Sequence, residues 1–157
     1  FDSGALTLDG GSVTDSLALL DGGGVAAYGG SLLLVDSSVS SNTSGSDGGG
    51  VYFEDGVLTV LGSTFTDNTA TEWGGGIVSY GGEATIEDSE ITGNTSVNDY
   101  GGGIYSEGTL LLARSTISGN TAAYGGGLYS SNWLVECSVT SSTITGNTST
   151  AGEGGGV

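Results

Sequence analysis

The sequence predicts an all-β fold: a right-handed parallel β-helix of about six coils, each of ~26 residues with three short strands. Three observations carry this. Glycine triplets begin at Gly22, Gly48, Gly74, Gly101, Gly125 and Gly154, at intervals of 26, 26, 27, 24 and 29 residues. Asn-Thr pairs recur at Asn42, Asn68, Asn94, Asn120 and Asn147. Between these marks, apolar residues fall into rows: Leu6, Leu32, Leu58, Ala84, Leu110, Cys137; Leu8, Leu34, Val60, Ile86, Leu112, Val139; and Val13, Val39, Phe65, Ile91, Ile117, Ile144. Rows of like character at a fixed period mean that each coil stacks on a near-copy of itself, which covers the apolar side that one coil cannot bury alone.

The strands follow from two-residue alternation. The first is the triplet with its aliphatic residue, as in Gly48-Gly49-Gly50-Val51-Tyr52-Phe53; the second is the Leu-x-Leu pair; the third is of the Thr-Phe-Thr type at 64–66. Length variation belongs to turns, and the coil opening at Gly125 absorbs the extra residues Ser131–Val135. A period near 26 suits right-handed coils, whereas hexapeptide periods suit left-handed ones. Phe1 is in register with Phe53, and Val157 with Val25, so residues 1–157 read as a single β-helix segment of a longer array.

Composition narrows the partners. Eighteen Asp and Glu against a single Lys or Arg give a formal net charge of −17. Such a surface repels nucleic acid and anionic membranes, and no apolar run is long enough for a membrane helix, so direct insertion is not expected. Thirty-three glycines without proline would suggest a linker, but the strict period argues against that. The lone Cys137 rules out an internal disulfide framework and is read as a small core residue.

Several rows bear on function. The asparagines Asn42, Asn68, Asn94, Asn120 and Asn147 each stand three residues after an inward apolar residue, where stacked amides form a rung-to-rung ladder. Three of them also match the glycosylation acceptor pattern. Tyr28, Tyr52, Tyr80, Tyr105 and Tyr129 fall on outward positions of the first strand, with Trp73, Tyr100 and Tyr124 just before their triplets. Acidic residues flank this aromatic stripe, which reads either as tyrosines stacking on one another or as a face for glycan binding or assembly. Ser/Thr pairs on the third strand resemble an ice-binding surface but are explained equally by β-propensity. The glycine triplets lack the lysine and helix of a phosphate loop. No cofactor is expected, and the scattered carboxylates support at most weak calcium binding.

Catalysis has few means here. The chain has no His, and its only basic residue, Arg114, is expected to pair with carboxylates on its own sheet. A groove gathering three or more converging carboxylates would instead point to a polysaccharide-degrading enzyme.

The motifs Gly75-Gly76-Ile77, Gly102-Gly103-Ile104 and Phe65-Thr66-Asp67-Asn68, with Ile91–Asn94, Ile117–Asn120 and Ile144–Asn147, resemble the Gly-Gly-Ala-Ile and Phe-x-x-Asn repeats of the chlamydial polymorphic outer-membrane proteins. That resemblance spans nearly the whole chain. It implies a bacterial surface β-helix, with adhesion as its role. The expectation is therefore a non-catalytic, extracellular or cell-surface structural and adhesive element. It would associate with itself end to end or laterally, or bind a glycan or a neighbouring cell surface.

Overall fold

The computed structural model describes residues 1–131 and 136–157. They form a solenoid in which every sheet is parallel and each strand pairs with its counterpart one coil away. The three apolar rows are in the register expected, for example Leu6–Leu32–Leu58–Ala84–Leu110–Cys137.

Among the described residues there are four sheets, not three. Sheet I stacks Ala5–Asp9, Ser31–Val35, Val57–Leu61, Glu83–Glu87, Thr109–Ala113 and Cys137–Thr140. Sheet II stacks Ser12–Thr14, Ser38–Ser40, Thr64–Thr66, Glu90–Thr92, Thr116–Ser118 and Thr143–Thr145. Sheet III, the addition, begins as two-residue strands such as Leu17–Ala18, Thr43–Ser44, Thr69–Ala70 and Thr95–Ser96. Its inward residues Ser44, Ala70, Ser96 and Ala122 are small and its strands too brief to alternate, so nothing in the hydrophobic pattern announces it. Sheet IV stacks Val25–Tyr28, Val51–Glu54, Ile77–Tyr80, Ile104–Ser106 and Leu128–Ser130.

The core is one continuous cluster running along the axis, from Leu32 and Leu34 through Val60, Ile86 and Leu112. Each such side chain contributes about 1.5–3 kcal/mol when fully buried. Volume is balanced between coils: Phe53 lies in register with Ala27 on one side and Ser79 on the other. Cys137 departs from the expectation of a core residue. It is an exposed free thiol that nevertheless keeps the inward row's register beside Leu110.

Corners decide whether the stack closes. After sheet II a residue with positive φ (Asp15, Ser41, Asp67, Gly93, Gly119, Gly146) turns the chain, and the asparagines follow. Asn68 donates from its backbone N–H and its Nδ2 to Asn94 Oδ1, at 3.0 and 2.9 Å, while its Nδ2 also donates to Val39 O at 2.9 Å. The same set recurs at Asn42, Asn94 and Asn120, and in the first coil Ser16 N–H takes Asn42 Oδ1.

Between sheets I and II runs a second ladder. Ser37, Ser63, Ser89 and Ser115 each donate a backbone N–H to the serine hydroxyl of the next coil at 3.0–3.1 Å, and each hydroxyl donates to the carbonyl two residues before it. Its 26-residue spacing was available in the sequence, but serine is too common in this chain to draw the eye.

The triplets meet a tighter constraint. A Cβ on Gly75 would lie 2.5 Å from Gly102 O and from the backbone of Thr95, so side chains are excluded where consecutive coils touch. The 132–135 portion of the long turn expected at Ser131–Val135 lies outside the described residues.

Replacing Asn94 by Ala strands the buried backbone N–H of Asn68, leaves one of the two Nδ2 hydrogens of Asn68 unpaired and takes a donor from Phe65 O. At about 1–3 kcal/mol for each unsatisfied group, Asn94→Ala is expected to lower unfolding free energy by about 3 kcal/mol or more. The exposed Asn98→Ala should change it by no more than about 0.5 kcal/mol. Equilibrium urea denaturation compares them; equal midpoints for the two variants would dismiss the ladder as a stabilising element.

Candidate functional site

The outward face of sheet IV carries three columns. The first follows each triplet's aliphatic residue: Ala26, Tyr52, Val78, Tyr105, Tyr129. The second lies two residues on: Tyr28, Glu54, Tyr80, then Glu107. The third precedes the triplets and is joined by backbone hydrogen bonds from coil to coil: Asp21, Asp47, Trp73, Tyr100, Tyr124, Glu153. Where the first column holds Tyr52 or Tyr105, the second holds Glu54 or Glu107; where the second holds Tyr28 or Tyr80, the first holds Ala26 or Val78. Rings therefore zigzag between columns without clashing.

All eight aromatic candidates join one ladder. Ring centroids are 5.5 Å apart for Tyr28–Tyr52, 5.8 Å for Tyr52–Tyr80 and 5.6 Å for Tyr80–Tyr105. Trp73 stacks on Tyr105 at 5.2 Å, Tyr105 lies parallel to Tyr129 at 5.8 Å, and Tyr100 contacts both Tyr124 (5.1 Å) and Tyr129 (4.4 Å). Tyr52, Val78 and Tyr105 are buried beneath this cover, which makes a second hydrophobic cluster outside the coil. Tyr52 is only 7% exposed and Tyr105 3%, so neither offers a free ring face over most of its area. Pairwise ring contacts of this kind add about 0.5–1.5 kcal/mol beyond burial. The indole Nε1 of Trp73 is buried without a hydrogen-bond partner.

Polar tips are tied to the flanking acids. Tyr52 Oη donates to Glu54 Oε2 at 3.2 Å, and Tyr105 Oη donates to Glu107 Oε1 at 2.5 Å. Burial first, and then these carboxylates, push both phenols above their ordinary range. Burial does the same to Tyr80, helped by Tyr105 and Asp47.

The third column changes from rings to carboxylates between Trp73 and Asp47. There the ladder opens into a cleft of about 400 Å³ lined by Asp47, Tyr52, Glu54, Asp55, Tyr80 and Gly81. Asp47 accepts the Trp73 backbone N–H on Oδ1 at 3.0 Å and is 8% exposed. Burial pushes its carboxyl up to about 6, against the lowering effect of the Trp73 N–H and with further upward pushes from Asp21, Glu72 and Asp99. Sequence reasoning treated the acidic residues only as flanks of the stripe; the juxtaposition with Asp55 arises from the turn after sheet IV.

Elsewhere the picture is structural. Asn42, Asn68, Asn94 and Asn120 are fully buried, and with both donors committed the acceptor patterns at Asn42 and Asn94 are closed in the folded chain. Arg114 binds Asp88 through Nε–Oδ1 (2.8 Å) and Glu87 through a 2.6 Å ion pair, as expected of its sheet. Among the described residues no three acidic or thiol groups stand close enough to hold a metal ion.

A family model described as "Right handed beta helix region" matches residues 2–157, and the chain belongs to that family. No curated protein matches it, and no solved structure does.

A carboxyl raised from 3.8 to about 6 holds its proton more tightly folded than unfolded. Its contribution to stability is present below pH 3.8 and lost as pH rises through about 6. Asp47→Asn keeps the acceptor for Trp73 and removes the charge. It should raise the melting temperature at pH 7.5 and leave it unchanged near pH 3.5. Thermal melts at the two values check this, and an equal gain at both would show that the charge is not the cause.

Proposed function

We propose that these coils form a non-catalytic structural stalk of an extracellular or bacterial cell-surface protein, with the aromatic and acidic face of sheet IV as its lateral contact surface. One observation carries this reading. The same two hydrogen-bonded ladders and the same apolar rows repeat from coil to coil, so the repeating residues of each coil are committed to holding its neighbour. The acidic exterior, at a formal net charge of −17, suits a solvated surface that does not adhere to nucleic acid. The adhesive role implied by the outer-membrane repeats is the finer form of the same proposal.

The cleft motivates a second reading. Three carboxylates line it, one of them raised to about 6, and glycoside hydrolysis uses a protonated and an ionised carboxyl flanking a sugar bond. Tyr80, half-buried where Tyr52 is covered, would supply the sugar-facing wall.

Both readings meet a direct test. Antibody against the purified coils should label intact, unpermeabilised producing cells; labelling only after permeabilisation would remove the stalk from the surface. The purified protein should release no new reducing ends from a panel of acidic and neutral polysaccharides. Release that disappears in Asp47→Asn would establish the hydrolytic reading instead.

A further inference from the structure

The rings of sheet IV are oxidisable groups in contact, running from Tyr28, which is 39% exposed, through Tyr52 and Tyr80 to Tyr105. Tyr105 is the hub. Trp73 stacks on it at 5.2 Å and 14°, Tyr129 lies parallel at 5.8 Å, and Tyr100 meets it at 6.5 Å. Phenols and indoles are, with thiols, the side chains that give up a single electron most readily. Between rings in contact, an electron removed from an exposed member is replaced from a buried one.

Where the electron vacancy comes to rest depends on the proton. An oxidised phenol or indole is a strong acid, and its positive charge is costly in a buried place unless a base takes the proton. Tyr105 has such a base: its Oη donates to Glu107 Oε1 at 2.5 Å. Ser131 Oγ lies 3.3 Å from the same Oη, placed to turn its hydroxyl onto that oxygen once the proton has gone. Tyr52 makes a longer bond, 3.2 Å to Glu54. Trp73 differs from both, because its Nε1 is buried with no acceptor among the described residues. The indole can therefore relay an electron but cannot shed its proton. Burial of Tyr105 to 3% exposure also keeps a radical there away from other molecules.

We infer that Tyr105 is a redox-active tyrosine, with Glu107 as its proton acceptor and the rings of sheet IV as its electron route to the surface. A one-electron oxidant, such as the oxidised haem of a peroxidase or a photogenerated metal complex, takes one electron from an exposed ring such as Tyr28. Electrons move outward from Tyr105 through Tyr80 and Tyr52 to refill that ring. At the same time the Tyr105 O–H bond breaks and its proton passes to Glu107. The products are the reduced oxidant, a neutral Tyr105 phenoxyl radical and a protonated Glu107. A one-electron reductant such as an enediol or a thiolate reverses the step. The face thus accepts an oxidising equivalent at its surface and holds it beneath the ring cover.

The test is flash photolysis of the purified protein at neutral pH with a ruthenium tris-bipyridyl sensitiser and persulfate, followed by transient absorption and freeze-quench electron paramagnetic resonance. A neutral tyrosyl radical that outlives the one formed on N-acetyl-tyrosinamide under the same flash is expected. Tyr105→Phe keeps the ring and removes the hydroxyl, and should abolish the long-lived signal. Glu107→Gln keeps the shape and removes the base; it should cut that signal about tenfold, the worth of one charge-assisted hydrogen bond, with an indolyl radical cation in its place. Tyr124→Phe, at the outer edge of the ladder, should leave it unchanged. Deuterium oxide should slow its formation, since the proton moves with the electron. An undiminished long-lived signal in Tyr105→Phe or in Glu107→Gln would overturn the inference. So would a parent radical that decays as fast as that of N-acetyl-tyrosinamide, or one that ends in dityrosine between chains.

Discussion

The two corners that flank sheet II bury backbone N–H groups that water cannot reach, and the fold depends on meeting them from the next coil. A sheet strand satisfies its donors through the parallel ladder, but a turn has no ladder. At the corner after sheet II the asparagine Oδ1 accepts two donors from the preceding coil, while Nδ2 donates to the following coil and to a carbonyl of the preceding one. At the corner before it, a serine hydroxyl accepts from one rung and returns its proton to its own chain two residues back. Both devices work only if every coil places the same residue at the same point. That requirement, more than core volume, imposes the period: the core rows accept Leu, Val, Ile, Ala and Phe, whereas the ladder from 42 to 147 accepts only Asn.

A core that tolerates variety lets the exterior vary independently. The three outward columns of sheet IV carry Tyr, Trp, Val, Ala, Glu and Asp over an interior of unchanged register. The arrangement is not random, because a ring in one column is matched by a small or acidic residue in the next. Each ring therefore touches a ring of an adjacent coil, and the apolar area so covered forms a cluster separate from the core. Such packing stiffens the face along the axis and gives it a defined relief.

Much of this was legible beforehand. The three apolar rows, the asparagine row and the all-β class could be read from period and alternation alone, because residues at matched positions stand in direct register. Sheet III escaped notice because Thr43–Ser44 and Thr69–Ala70 are too short for alternation to register and their inward residues are small. The burial of Tyr52 and Tyr105 escaped notice for a different reason. Alternation correctly assigns them to the outer face of the strand, but only the offset between neighbouring coils shows that Trp73, Tyr80, Tyr100 and Tyr129 close over them. Facing outward and being exposed are separate properties in a solenoid.

The boundary between Trp73 and Asp47 divides sheet IV's flanking column into an aromatic part and an acidic part. Folding does not demand that division, because the glycine triplets and the asparagine and serine ladders continue unchanged across it. Nor does stability favour it: Asp47 is a carboxylate held in a place where burial, Asp21, Glu72 and Asp99 all oppose its charge, with one backbone N–H to offset them. A tyrosine at the same position would extend the ring ladder without that cost. A residue that works against stability in an otherwise self-supporting array shows that the outer columns are not set by the coil's own packing alone.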